Sequence, residues 1–245
     1  MRLSRIYTEQ PLIVGSKIQL STATSHYARN VLRLKAGMNI SLFNGADYCN
    51  YESKLCFDGK KTFASIILKS ESMTESTLDS EIIQGLSRND HLDWMIQKTT
   101  ELGVKRISIF NSNHSQIPIK LNQLEKKQLH WRAIAIKACE QSGRHIPPTI
   151  EFFNGIESLL EVAYQRDNRF LLDFQGPRLG KLLQTRTKAP QISILLGPEG
   201  GLSVGEIELA NNAGFISSQI GTRILRTETA AVAALALVQS YWGDM

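Results

Sequence analysis

The sequence predicts a two-module protein of the α/β class, with a small, basic, β-rich module over residues 1–70 and a mainly parallel α/β domain over residues 71–245. Three observations carry this. Short apolar segments separated by Asn44-Gly45 and Asp58-Gly59, both strong hairpin dipeptides, dominate the first module. From Glu81 onward, apolar strand candidates alternate with helical patterns, the signature of a parallel sheet with crossover helices. The charge is also divided: residues 1–70 hold ten Lys/Arg against four Asp/Glu, and residues 71–245 hold eighteen against nineteen. The whole positive excess therefore belongs to the first module, which suits a polyanionic partner such as RNA or DNA.

In the first module, "KIQLS", "NISLFN", "YESKLCF" and "FASIILK" read as strands of a small barrel. One helix interrupts them in "SHYARNVLRLKAG", where Tyr27, Val31, Leu32 and Leu34 form an apolar stripe, Arg29, Arg33 and Lys35 point outward, and Gly37 supplies a stop. The Ser-, Thr- and acid-rich "SESMTESTLDS" marks a linker. After the strand "EIIQGL", the residues Leu92, Met95, Ile96 and Thr99 fall at helical spacing, and Gly103 can end that helix in the left-handed conformation. "VKRISIF" is the next strand. A long helix from Leu121 to Ser142 stops before Pro147-Pro148, and "RFLLDF", "ISILLG" and "ISSQIG" are the later strands.

Composition excludes several classes. With 42% hydrophobic and 21% charged residues the chain can bury a real core, and disorder is not indicated. The amino terminus lacks an apolar stretch followed by a small-residue cleavage site, and the apolar run "AAVAALALV" is about half of the ~20 residues a membrane span needs. A cytoplasmic protein without a membrane partner is expected, with that run forming a buried helix. Cys49, Cys56 and Cys139 are odd in number and lack metal-ligand spacing, so no structural metal is expected and Cys139 reads as a small buried hydrophobe.

Two strand-to-helix loops carry the chemistry. In "LLGPEGGLSVGEIE", Ser203 and Glu206 form a capping box for the following helix, whereas Glu199 precedes the cap and lacks that explanation. Gly200 and Gly201 leave room for a ligand beside the backbone, at the strand end where parallel sheets bind ligands. In "IGTRILRTETAAVAALALVQ", Thr227 is an N-cap candidate, Glu228 sits in the first turn where the helix dipole favours an anion, and Arg226 opposes that dipole and so is a functional candidate. Neither loop has the glycine and lysine spacing of a phosphate cradle, so dinucleotides and nucleoside triphosphates are disfavoured.

These two loops, with "KTTELGV" at Lys98–Val104 and "ACEQSGR" at Ala138–Arg144, resemble the bacterial 16S ribosomal RNA uridine-N3 methyltransferases of the SPOUT superfamily over essentially the whole chain. The resemblance implies an α/β fold in which a SPOUT-type, trefoil-knotted, parallel-sheet methyltransferase domain at residues 71–245 follows a small PUA-like β-barrel at residues 1–70. It implies S-adenosylmethionine (SAM) as cofactor, which has no phosphate and needs no phosphate cradle. Carried over by position, the cofactor-binding residues are Leu171, Leu172, Leu196, Gly197, Gly201, Ile220, Leu225, Arg226 and Thr227. The resemblance further implies 16S rRNA or the small ribosomal subunit as substrate, and a homodimer in which the helix after "ILRTE" packs on its copy.

Methyl transfer to uridine N3 requires removal of the imide proton. Glu228, as base or hydrogen-bond acceptor, and Arg226, as the cation that stabilises the developing anion, are the catalytic candidates. Arg2, Arg5, Arg29 and Arg33 are the candidates for phosphate contacts that hold the RNA; Arg144 either orients the base or phosphate or caps its helix. The family commonly has arginine where this chain has His114 in "SNHSQ", which weakens a phosphate contact there. Two other readings remain open: a SPOUT methyltransferase acting on tRNA or a ribose 2′-hydroxyl, and an inactive RNA-binding ribosome assembly factor.

Overall fold

The computed structural model describes residues 3–163, 167–187 and 191–245, which fall into two compact units. The first comprises residues up to Glu75 together with Cys139–Pro147, and the second comprises Ser76–Ala138 and Pro148–Met245.

The first unit is built on a five-stranded sheet: β1 (Ser4–Tyr7), β2 (Lys17–Gln19), β3 (Asn39–Phe43), β4 (Cys49–Asp58) and β5 (Lys61–Glu71), in the order β1-β3-β4-β5-β2. β4 and β5 form a hairpin closed by Gly59-Lys60, with Asp58 opposite Lys61 and Gly59 at φ +52°. Ile6, Leu20, Ile40, Leu42, Tyr51, Leu55, Ala64 and Ile66 alternate inward to form its core. The expected helix after Ser25 differs. A short α1 (Thr22–His26), capped by Ser21, passes into a π-helical turn over Tyr27–Val31, in which Leu32 N–H donates to the Tyr27 carbonyl. Arg33 then adopts φ +52°, and Val31 stays 60% exposed, so the apolar stripe is not buried as a continuous helical face.

The unit boundary falls after Glu75 rather than after residue 70, and a polar cluster explains why. The Glu75 carboxylate lies 2.7 Å from Nη2 of Arg144 and accepts the backbone N–H groups of His145 and Ile146, binding the expected linker to residues 139–147. The two side chains are 8% and 4% exposed. Burial alone would raise the Glu75 pKa, but the Arg144 charge and these hydrogen bonds hold it below the ordinary carboxylate value. Cys139 is fully buried, and that burial pushes its thiol up to about 12, which leaves it inert.

The second unit is a six-stranded, wholly parallel sheet: β6 (Asp79–Gly85), β7 (Arg106–Phe110), β8 (Thr149–Phe153), β9 (Asn168–Leu172), β10 (Gln191–Leu196) and β11 (Ile216–Ser218), in the order β11-β9-β10-β6-β7-β8. Its helices are α2 (Asn89–Glu101), α3 (Leu121–Ser142), α4 (Ile156–Ala163), α5 (Leu179–Thr185), α6 (Val204–Asn212) and α7 (Thr227–Trp242), α3 running on past Ala138. Successive strand residues serve opposite faces. Ile82, Ile109, Phe170, Ile194 and Leu196 join the core with α2, α5 and α7, while Ile83, Phe110, Leu171 and Leu195 pack with α4 and α6. Gly103, at φ +86°, lets the chain leave α2 for β7. Among the described residues no helix is long and apolar enough to cross a membrane, and no group of three His, Cys, Asp or Glu side chains is arranged to hold a metal ion.

Candidate functional site

Three loops at the carboxyl ends of β9, β10 and β11 enclose a cavity of about 520 Å³. The β10 loop is a tight turn, in which Gly201 N–H donates to the Pro198 carbonyl at 2.9 Å. Gly201 adopts φ +72°, which an L side chain resists, and a Cβ on Gly197 would come within 2.7 Å of the Gly201 and Leu202 backbone. The turn then enters α6 through the expected capping box of Ser203 and Glu206. Glu206 also accepts from Ser112 Oγ and the Asn113 N–H. Although its burial favours the neutral acid, the Ser203 and Asn113 N–H groups hold its pKa below the ordinary value. Glu206→Ala leaves these donors unsatisfied, and an equilibrium denaturation measurement is expected to show a loss of about 1–3 kcal/mol.

Glu199 has a structural explanation that its place before the cap did not reveal. Its carboxylate accepts the Arg88 N–H at 3.0 Å, at the start of α2, where the helix dipole favours an anion. His91 Nδ1, 2.9 Å away, is placed to donate to that carboxylate, with Nε2 then placed to accept from Arg88 Nη2 at 2.9 Å. Arg88, His91 and Glu199 thus close a hydrogen-bonded ring on the cavity wall. Burial opposes ionisation of Glu199, but the Arg88 N–H and His91 hold its pKa below the usual carboxylate value.

The β11 loop brings Ile220, Gly221, Arg223, Ile224, Leu225 and Arg226 to the cavity. Thr227 is not the N-cap: Arg226 is, with extended φ −62° and ψ 149°, and Thr227 is the first helical residue. Its hydroxyl donates instead to the Gly197 carbonyl at 2.8 Å, and the buried Gln84 amide reaches Thr227 Oγ1 at 2.9 Å and the same carbonyl at 2.8 Å. The β10 and β11 loops are thereby locked to the end of β6. Glu228, 8% exposed, keeps Oε2 without a hydrogen-bond partner among the described residues, and this oxygen lies 3.7 Å from His91 Nδ1.

Of the residues carried over for cofactor binding, Leu172, Leu196, Gly197, Gly201, Ile220, Leu225, Arg226 and Thr227 line this one cavity, as does Glu228. Leu171 does not. Its side chain points to the opposite face of the sheet, among Ile83, Phe110 and Leu195, one residue out of phase with Leu172. The arginines expected to contact RNA are scattered in role. Arg144 is corrected: 3% exposed and paired with Glu75, it braces the first unit and presents nothing to a phosphate. Arg5 donates to the Arg144 carbonyl and lies over the Phe43 ring. Arg29 donates to Thr62 Oγ1 and the Gly59 and Lys61 carbonyls, stacked 4.1 Å from the Phe57 ring centroid. Arg33 is exposed, and Arg2 lies outside the described residues. Gln84, near the end of β6, and Arg88 and His91, at the start of α2, were missed because none carries a motif of its own.

The profile of the RNA methyltransferase domain matches residues 74–239, about two thirds of the chain. The chain belongs to this RNA methyltransferase family. Among the curated members, the ribosomal RNA small subunit methyltransferase E of Buchnera aphidicola subsp. Schizaphis graminum is 34% identical, the match covering 100% of this chain and 98% of the relative. The corresponding methyltransferase E of Bacillus subtilis is 26% identical over 94% of this chain and 93% of its own length. Among solved members, a putative methyltransferase of Legionella pneumophila with bound SAM superposes with a TM-score of 0.94 at 30% identity, both chains covered in full. The ribosomal RNA small subunit methyltransferase E of Neisseria gonorrhoeae, also bound to SAM, gives 0.89 at 32% identity, again over both full chains. The likeness to these two solved structures covers the entire chain, beyond the residues that the domain profile matches.

Proposed function

We propose that this protein is a SAM-dependent methyltransferase that modifies a uridine N3 of 16S ribosomal RNA on the assembled small subunit, in the cytoplasm. The observation that carries the reading is the cavity itself. Apolar side chains of Leu172, Leu196, Ile220 and Leu225 surround a space bordered by glycine backbone and by a buried carboxylate oxygen of Glu228 that has no hydrogen-bond partner among the described residues. This lining fits a cofactor with an adenine, a methionine chain and no phosphate. The close approach of Gly176 to Ser217, where a Cβ would meet the carbonyl at 2.1 Å, supports a trefoil knot in which the β11 segment is threaded against the β9 loop.

When bound, SAM supplies an electrophilic methyl group. The chain's own residues prepare the nucleophile: Glu228 takes the N3 proton, and Arg226, exposed at the rim, balances the charge that spreads onto the flanking carbonyl oxygens. The His91–Glu199–Arg88 ring fixes the wall beside Glu228. In the first unit, which we read as the PUA-like barrel, exposed Arg33, Lys35, Lys54 and Lys60 are the phosphate contacts, with Arg29 shaping the turn beside them. Val232, Ala233 and Ala236 stay half-buried along α7, an apolar face suited to a homodimer.

The test is transfer of labelled methyl from SAM to small subunits lacking the modification, with mass-spectrometric identification of the product. The expected result is 3-methyluridine in 16S rRNA, with RNA affinity falling steeply between 50 and 200 mM salt. Methylation of tRNA or of a ribose 2′-hydroxyl overturns the substrate assignment; SAM binding without transfer to any RNA supports an assembly factor instead.

A further inference from the structure

Two large apolar side chains stand exposed at the cavity. Phe174 and Ile224 are 63% and 84% exposed, and they reach the cavity from two different loops, after β9 and after β11. We propose that Phe174 is the platform on which the target uracil stacks when the nucleotide is turned out of the RNA, with Ile224 closing on the ring from the facing loop. This rests on the reading of the cavity as the methyl-transfer site.

The Phe174 ring is not needed to hold its own loop. Asp173 N–H donates to the Ser218 carbonyl at 2.8 Å, Gln219 N–H to the Pro177 carbonyl at 2.9 Å, and Gln219 Nε2 to the Gly176 carbonyl at 2.8 Å. The loop is pinned by backbone and amide bonds on both sides of residue 174, so the phenyl group is presented from a fixed position. A large apolar ring left in water on a rigid support, beside a site that must receive a planar base, matches the way proteins bind unstacked bases. The lining carries Arg223 and Arg226, both exposed and available to a phosphate or to the uracil carbonyls, and one acid at the Phe174 loop, Asp173, whose Oδ1 accepts the Phe174 N–H; Glu228 is buried, its Oε2 without a hydrogen-bond partner among the described residues. A uracil lying on Phe174 would present its N3 edge to Glu228 and Arg226. Tyrosine preserves a π face at this position, and leucine preserves only apolar bulk.

The experiment compares the unsubstituted protein with Phe174→Tyr and Phe174→Leu. Steady-state methylation of small subunits gives kcat/KM, and calorimetry with SAM alone gives the cofactor Kd. Phe174→Tyr is expected to stay within about twofold of the parent, and Phe174→Leu to lose about 5- to 100-fold in kcat/KM, the range of one base–aromatic stack, at unchanged Kd for SAM. A leucine variant as active as the parent overturns the platform. So does a loss that tracks a weakened Kd for SAM, since the ring would then face the cofactor. If the parent transfers no methyl to small-subunit RNA although it binds SAM, the reading of the site falls and this inference with it; an active parent with an active leucine variant sinks the platform alone.

Discussion

Glu228→Gln is expected to lower the single-turnover rate of methyl transfer by about 10²–10⁴-fold, the range a positioned general base contributes, with little change in cofactor affinity. The amide keeps the size and position of the carboxylate but cannot take a proton from the nucleophile. The expectation rests on a particular imbalance. The Glu228 side chain is 10% exposed, and its Oε2 has no donor among the described residues, although His91 Nδ1 stands 3.7 Å away and is directed to Glu199 instead. A carboxylate kept largely from water with an open acceptor is costly unless a ligand donates to it. A glutamine variant that turns over at the parental rate would remove Glu228 from the proton transfer and leave its oxygen as a contact of the α7 amino terminus.

The second large effect concerns stability. Arg144→Ala strips the partner from the buried Glu75 carboxylate, and loss of one member of a buried pair costs about 3–5 kcal/mol. For a protein of this size the thermal midpoint should drop by about 6–20 °C. The pH dependence gives the sign. The folded-state pKa of Glu75 is depressed, so its contribution is complete above the unfolded value of about 4.3 and is lost as the pH falls below it. His145 acts earlier in the same direction: burial, helped by the Arg5 charge, lowers its pKa, so below about 6.5 the unfolded chain gains a proton that the folded chain refuses. The difference in denaturation free energy between parent and Arg144→Ala should therefore be greatest near neutrality and shrink towards pH 3. A difference that is constant across that range would assign the loss to packing of the arginine rather than to its charge.

Much of the architecture is legible in local sequence. The parallel sheet follows from the alternation after Glu81, and the capping box at Ser203 and Glu206 needs only residues three positions apart. What depends on partners distant in sequence is not legible. Glu75 looks like part of a solvated linker until Arg144 and two backbone N–H groups meet it, 69 to 71 positions away. Arg29 reads as an outward cation, yet its donors are taken by the turn after β4, about 30 residues on. Thr227 reads as an N-cap because its type suits one; its hydroxyl is drawn to Gly197 by a loop that no periodicity places there. Leu171 and Leu172 are chemically equivalent in the sequence, and only the strand register decides which of them faces the cavity.

The cavity's walls come from the ends of β9, β10 and β11 and from the first turn of α7, all within residues 168–230 apart from Arg88 and His91. On the ribosome these parts are synthesised after the whole of the five-stranded unit and after β6, β7 and β8. A nascent chain has no complete pocket until Thr227 reaches Gly197 and Gln84. The pocket is thus the last feature of the chain to be completed, and a chain interrupted before α7 would carry both sheets but lack the wall that Thr227 and Glu228 supply.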